Sequence, residues 1–218
     1  MNILELFAGS RSIGKEAEKK GLNVFSVDWT PYENINLVID IEKLKIEDVP
    51  FIPNLIWASP DCTTYSLAAI YKHRNGTEPQ TEYAKKSDRV NINLHNLIKQ
   101  WLTINPNLKY YIENPRGMMG KMQFVKNAQV ATVWYCKYGD YRAKPTNIFS
   151  NNIRSLFNPN GWQPRPQCYN GNTKCHHEAA PRGSQTGTQG KKESYERSKI
   201  PEQLCKEIIE SSLIDFKH

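Results

Sequence analysis

The segment Trp57-Ala58-Ser59-Pro60-Asp61-Cys62-Thr63-Thr64-Tyr65-Ser66 sets one cysteine just past an apolar, strand-like run. Pro60 precedes it, and small polar residues surround it. A strand ending in a tight turn presents its next side chains to a cleft, and a thiolate held there is a nucleophile. About fifty residues on, Tyr110-Tyr111-Ile112-Glu113-Asn114-Pro115 repeats the pattern with an acid. A thiol and a carboxylate at the ends of two strands can share one cleft as nucleophile and proton donor. Taken alone, a cysteine is more often a small buried hydrophobe. Pro60 and the second strand-end acid favour the nucleophile here.

The elements that must position these groups are short. Residues 3–7 read as a buried strand, and Ala8-Gly9-Ser10 as a turn. Residues 12–20 read as a helix, with Gly21 closing it. Further strands are expected at 22–27, 37–39, 55–57, 110–112 and 130–136, and helices at 94–102 and 202–213. Pro201 suits a helix start. Strands alternating with helical segments predict an α/β fold with a mostly parallel sheet and helices on both faces. Ligands bind such sheets beyond the carboxyl ends of the strands, where Asp28, Asp40, Cys62 and Glu113 all fall.

The chain has 218 residues and a net charge of +7. That length suits one sizeable core with a small appendage, here divided into an α/β domain (1–149), a small loop-rich region (150–195) and a helix returning to the core (196–218). No apolar run approaches the ~20 residues of a membrane span. The first residues lack a basic leader and carry Glu5, so no signal peptide is expected. Five irregularly spaced cysteines argue against an exported disulfide framework and for a reducing cytoplasm. Basic residues gather at Lys72-His73-Arg74, Lys85-Lys86, Arg142 with Lys144, and Lys191-Lys192, several beside tyrosines. Such a mixture suits nucleic acid, although a solvated surface would read the same way.

Residues 150–195 are rich in Asn, Pro, Gly, Gln and Thr, and 183–190 is nearly a flexible linker. Within this region Cys168, Cys175, His176 and His177 have the spacing Cys-x6-Cys-His-His, with Cys136 upstream. A zinc ion on Cys136, Cys168, Cys175 and His177 would order a segment with little core of its own. Unpaired loop cysteines are the competing reading. Tyr169, Trp162 and the arginines near them face nucleic acid or cover the core.

In order along the chain, these motifs resemble those of the DNA (cytosine-5) methyltransferases. Leu6-Phe7-Ala8-Gly9 is similar to the opening cofactor motif, Val27-Asp28-Trp29 to the ribose-binding acid with its aromatic, and Asp40-Ile41 to the adenine contact. Ser59-Pro60-Asp61-Cys62 with Tyr65-Ser66 resembles the proline–cysteine motif, and Ile112-Glu113-Asn114 the glutamate–asparagine motif. Tyr138-Gly139 with Arg142 and Lys144 is similar to the basic motif, and Ile200-Pro201 to the closing one. Departures are also plain. Arg11 and Ser12 stand where glycine is usual, Asp61 replaces a proline, Pro115 replaces a valine, the basic motif lacks its glutamine, and the recognition region is short.

The resemblance implies the methyltransferase variant of the Rossmann-like sheet, with S-adenosylmethionine held by Phe7, Ala8, Gly9, Ser10, Asp28, Trp29, Asp40, Ile41 and Pro60. It implies double-stranded DNA as substrate, with a cytosine flipped out of the stack. Cys62 would attack carbon 6, Glu113 would bind ring N3, and Arg142 and Lys144 would steady the base or its phosphate. Residues 67–93 would be a mobile loop closing over the base. The chain is expected to act as a monomer. Asp28 as a turn cap, and Arg142 with Lys144 as plain surface, remain open. So do the same chemistry on RNA, and a non-catalytic nucleic-acid-binding module suggested by Arg11 and Ser12 in the cofactor loop. Amino-group methylation would need an aromatic after the proline, which Asp61-Cys62 does not supply.

Overall fold

A computed structural model describes residues 1–178 and 194–213. The Gly-rich stretch 183–190 and Lys191-Lys192 lie outside the described residues. A seven-stranded sheet forms the centre, in the order β3 (Leu37–Val38), β2 (Asn23–Asp28), β1 (Asn2–Leu6), β4 (Leu55–Ala58), β7 (Lys109–Pro115), β9 (Pro145–Ser150), β8 (Gln129–Trp134). All neighbours are parallel except β9, which runs antiparallel to both β7 and β8. A small hairpin, β5 (Arg74–Asn75) with β6 (Glu78–Pro79), stands apart.

Helices cover both faces, so the central strands bury alternate residues on opposite sides. In β4, Ile56 and Ala58 pack toward α3 (Glu82–Ile104), while Leu55 and Trp57 pack toward α1 (Ser12–Lys19) and α5 (Glu202–Leu213). Leu94, Leu97, Ile98 and Trp101 form the apolar stripe of α3, each burial worth roughly 2 kcal/mol. Ile13 and Ala17 of α1 meet Leu204, Ile208 and Ile209 of α5 in the second core. Two further helices, α2 (Ile70–His73) and α4 (Ser194–Ser198), are short. Among the described residues no helix is long and apolar enough to cross a membrane.

The strands and the C-terminal helix lie close to their expected positions. Two features differ. The helix expected at 94–102 begins at Glu82, so much of the supposed mobile loop 67–93 is α3, α2 and a hairpin. Its first three turns bury only Ala84, Ser87 and Asn91, so no apolar periodicity announces them. Thr81 caps this helix, its Oγ1 accepting the Ala84 amide at 3.2 Å. The strand β9 carries Pro145, Thr146, Asn147 and Ser150, a composition that reads as loop. Proline is tolerated as a strand's first residue. Trp162 covers the core, edge-on to Tyr111, while Tyr169 is exposed.

Glu5 is an acid in the second core. Arg11, at the N-cap of α1, makes no side-chain cap bond, and the Glu5 carboxylate accepts the Ile13 amide instead, at 3.0 Å. It also accepts Ser26 Oγ at 3.0 Å. A Cβ at Gly14 would stand 2.6 Å from Glu5 Oε2, so only glycine admits this contact.

Burial raises Glu5 to about 7, against hydrogen bonds from Gly14, Ser26 and Ile13 and the Arg11 charge, which lower it. The folded chain therefore holds this proton more tightly than the unfolded one. The contribution is full below about 4.5 and is lost as pH rises through about 7, worth at most about 3 kcal/mol. His95, driven down to about 4 by burial and then by Lys99, has the opposite slope, its contribution lost as pH falls. Urea unfolding of Glu5→Gln between pH 5 and 8 should show a smaller stability loss with rising pH than the unsubstituted chain. Identical slopes would remove Glu5 from this role.

Candidate active site

Register places the site. Leu6 pairs with Val27 and with Ala58, and Ala58 pairs with Ile112, so these four form one row across the sheet. The next residue of each strand is Phe7, Asp28, Ser59 and Glu113. They open on a cleft of about 840 Å³ along the carboxyl edge.

One half of the cleft is the turn after β1. Phe7 and Gly9 both have positive φ, +54° and +47°, and with Ala8 and Ser10 they wrap the end of the strand. Asp28 accepts the Gly9 amide at 2.9 Å and the Thr30 amide at 2.8 Å. Burial raises its pKa, against those two bonds and one from the Trp29 amide. Asp28 thus caps its turn and also lines the cleft, and Trp29, largely exposed, stands beside it. Asp40 and Ile41 line a smaller adjoining pocket of about 110 Å³, which shares Phe7, Trp29 and Pro60 with the main cleft. Burial would raise the Asp40 carboxyl, but its 2.7 Å pair with Lys86, the Glu42 amide and Lys43 hold it below the ordinary value.

Arg11 and Ser12 do not obstruct this half. The buried Arg11 guanidinium reaches Ser26 Oγ at 3.0 Å and pairs with Glu18, behind the turn. Ser12 accepts the Ile200 amide at 3.1 Å and ties the turn to the segment before α5.

The other half holds Cys62, Glu113 and Lys144 together. The Cys62 carbonyl accepts the amides of Tyr65 and Ser66, closing a tight turn. Arg74 locks this turn from behind. Its guanidinium forks onto Asp88 at 2.6 and 3.0 Å and donates to the Thr64 carbonyl at 2.9 Å. The same Asp88 accepts the Tyr65 hydroxyl at 2.7 Å. From below, Gly117 allows a close approach: a Cβ there would meet the Tyr65 carbonyl at 2.4 Å, the oxygen that accepts the Met118 amide.

Glu113 is nearly buried. Tyr135 donates to its Oε1 at 2.9 Å, and Lys144 Nζ lies 3.6 Å from the same oxygen. Lys144 also sits over the Tyr135 ring, donates to the Arg197 carbonyl at 3.2 Å, and holds φ at +26°, a sparsely populated value for a side-chain-bearing residue. Asn114 donates to the Pro60 carbonyl at 3.0 Å, and its own buried Oδ1 has no hydrogen-bond partner among the described residues. The cysteine and glutamate strands are therefore joined through their site segments.

Two expectations need correction. Arg142 does not line the cleft. It is 1 % exposed, forks onto Asp140, and donates to the carbonyls of Arg197 and Lys199, so it fastens the chain before α5. The basic cluster expected to meet nucleic acid is partly committed as well: Arg74 is buried on Asp88, Lys85 pairs with Glu82, and Lys86 pairs with Asp40. Tyr83 and Tyr135 are site residues that sequence reading missed. Tyr83 lies on the unannounced first turn of α3 and donates to Asp61. Tyr135 follows an aromatic strand with no motif of its own.

Cys136, Cys168, Cys175 and His177 converge near the rim, their ligand atoms within 4.8 Å of one another. The adjacent His176 bonds the Asp140 carbonyl at 3.0 Å instead.

No family model matches the chain. No curated protein matches it by sequence. Solved structures do match by shape. A prophage DNA modification methyltransferase of E. coli superposes with a TM-score of 0.51 at 14% identity, over 78% of this chain and 52% of that one. A Spodoptera frugiperda DNMT2 variant gives 0.45 at 17%, over 68% and 49%. A TehB-like SAM-dependent methyltransferase of Corynebacterium glutamicum gives 0.38 at 14%, over 68% and 78%. This chain thus spans about half the length of the first two. The fold is the Rossmann-like sheet of S-adenosylmethionine-dependent methyltransferases, as the strand order, the reversed β9 and the E. coli superposition define it.

Cys62 meets an electrostatic obstacle. Burial first, together with the Asp61 and Glu113 charges, raises its thiol to about 11, against Lys144, which lowers it. Peptide-mapped alkylation by iodoacetamide should therefore show little reaction of Cys62 at pH 7 and a rise toward pH 11. Asp61→Asn removes one adverse charge and should speed alkylation at pH 8 by up to about tenfold, the factor for one unit of pKa. No acceleration would mean that Asp61 does not govern the thiol.

Proposed function

We propose that the chain transfers a methyl group from S-adenosylmethionine to carbon 5 of cytosine in DNA, through a covalent adduct with Cys62. The observation that carries this reading is the union, in one cleft, of a thiol, a carboxylate and an ammonium group with the strand-end turn and acid of the other half. The donor's needs match that other half. At the Phe7–Ser10 turn a Cβ on Gly9 would make only ordinary van der Waals contacts, with the Phe7 carbonyl at 3.9 Å and Ser198 Oγ at 4.0 Å, so nothing crowds the cleft there. Asp28 offers carboxylate oxygens to hydroxyls, Trp29 an exposed ring to a base, and Asp40 with Ile41 a polar and an apolar wall in the adjoining pocket. S-adenosylmethionine bound there supplies an electrophilic methyl group, its sulfur leaving as a neutral thioether.

The residues of the chain account for the rest. Carbon 5 of cytosine is a weak nucleophile. The Cys62 thiolate adds to carbon 6, breaking the 5,6 double bond and placing its electron pair on carbon 5. Glu113 lends a proton or hydrogen bond to ring N3, which stabilises the adduct and selects cytosine over thymine. Tyr135 and Lys144 hold the Glu113 carboxylate in place. After carbon 5 has taken the methyl group, loss of its proton to a base restores the double bond and expels the thiolate. At pH 7 a thiol near 11 costs about 5 kcal/mol to ionise, so substrate binding has to shift Cys62 toward Lys144 or away from Asp61. The target base lies inside a duplex until flipped, and the open cleft edge is where it would enter.

Duplex DNA carrying 5-fluorocytosine in many sequence contexts, mixed with S-adenosylmethionine, should give a denaturation-resistant adduct, because fluorine at carbon 5 cannot leave as a proton does. The adduct should vanish in Cys62→Ala. Adduct on RNA alone would reassign the substrate, and adduct on neither would overturn the reading. With ordinary DNA, Glu113→Gln should slow methyl transfer by about 10²–10⁴-fold, with a smaller effect on DNA affinity. Near-normal turnover would remove Glu113 from the mechanism.

A further inference from the structure

We propose that Cys136, Cys168, Cys175 and His177 bind a structural zinc ion, which fastens the loop 163–178 to the end of β8 and so builds one wall of the cleft. This inference does not depend on the methyl-transfer reading. Three thiols and one imidazole are a complete ligand set for a closed, tetrahedral zinc site. With zinc–sulfur bonds of about 2.3 Å, tetrahedral ligands stand about 3.8 Å apart. Cys168 Sγ and His177 Nδ1 lie 3.7 Å apart, and all four ligand atoms fall within 4.8 Å of one another. The cysteines are free thiols rather than a disulfide pair.

The surroundings fit as well. Asn172 Nδ2 donates to Cys168 Sγ at 3.4 Å, the kind of amide contact that steadies a metal-bound thiolate. His176 is tied to the Asp140 carbonyl and the Glu178 amide to the Tyr141 carbonyl, which leaves His177 between them as the single imidazole of the set. The segment also needs such a staple. It has no helix or strand, and of residues 163–178 only Cys168 is buried. A stretch this poor in core gains order from a metal as small domains do. Asn170, Gly171, His177 and Glu178 line the cleft, so the same bonds set its rim.

The test is metal content of the full-length chain, purified under reducing conditions and dialysed against metal-free buffer. Inductively coupled plasma mass spectrometry should find one zinc per chain. His177→Ala should hold zinc at least tenfold more weakly against a chromogenic chelator, while His176→Ala retains it. Folded chain without zinc, or equal loss in both histidine variants, would overturn the site. Should His177→Ala fail to fold, cobalt exchanged into the unsubstituted chain gives a second readout. A tetrahedral spectrum with thiolate-to-cobalt charge transfer supports the assignment, and an octahedral spectrum without it refutes it. Cys62→Ala should keep its zinc, which separates failure here from failure of the adduct experiment.

Discussion

Parallel, in-register pairing of β1 with β2 and β4, and of β4 with β7, is the constraint on which the rest depends. It aligns the last core residues, Leu6, Val27, Ala58 and Ile112, in one row. Phe7, Asp28, Cys62 and Glu113 all follow within a few residues of that row. Because neighbouring parallel strands end on the same edge, four separate stretches of sequence deliver their polar residues to one cleft without any of them crossing the core. The reversed strand β9 completes the arrangement. It pairs with β7 from Tyr111 to Pro115, covering the flank of the Glu113 strand, and its entry carries Lys144 back to the same edge.

The site half containing Cys62 is held from several directions. The Arg74–Asp88 fork grips the turn from α3, the Asn114 amide grips Pro60 from β7, and Gly117 lets the chain after β7 reach the Tyr65 carbonyl. Arg74 is fully buried and paired, so this is an ion pair whose loss would strand a charge in the interior. The rigidity matters because the electrostatics alone are unfavourable. Burial and two neighbouring carboxylates oppose the thiolate, and a single lysine favours it. A nucleophile in that balance depends on position: shifts of the substrate or of Lys144 by small distances change its ionisation strongly at low dielectric.

The region beyond β9 is joined to the sheet by polar contacts more than by core. Trp162 and Asn152 close on Tyr111, the latter through a 2.8 Å bond to its hydroxyl, and Arg165 reaches Glu207 and Gln203 of α5. Arg142 performs the complementary task, binding Asp140 and the carbonyls ahead of α5. These contacts hold a short irregular segment beside the cleft, which Asn170, Gly171, His177 and Glu178 help to line.

Much of this was legible in the sequence, because a buried strand followed by a polar turn is a local pattern. The strands of the parallel core, the helix 202–213, and the strand-end residues Asp28, Cys62 and Glu113 all follow from apolar runs and what succeeds them. The order of the motifs also carried the resemblance. What the sequence left undecided depends on partners far along the chain. The first half of α3 faces the Cys62 turn with small and polar residues, so its periodicity is silent. β9 is a strand only because β7 and β8 flank it. Arg142 and Lys144 are two residues apart with the same charge, yet Asp140 takes one into the interior and Glu113 draws the other to the cleft. The cysteines 136, 168 and 175 converge with His177 only after the loop has folded over the end of β8. Local composition decides which elements form and where their ends lie. Which side chains meet, and which charges are spent in pairing, is decided by packing at long range.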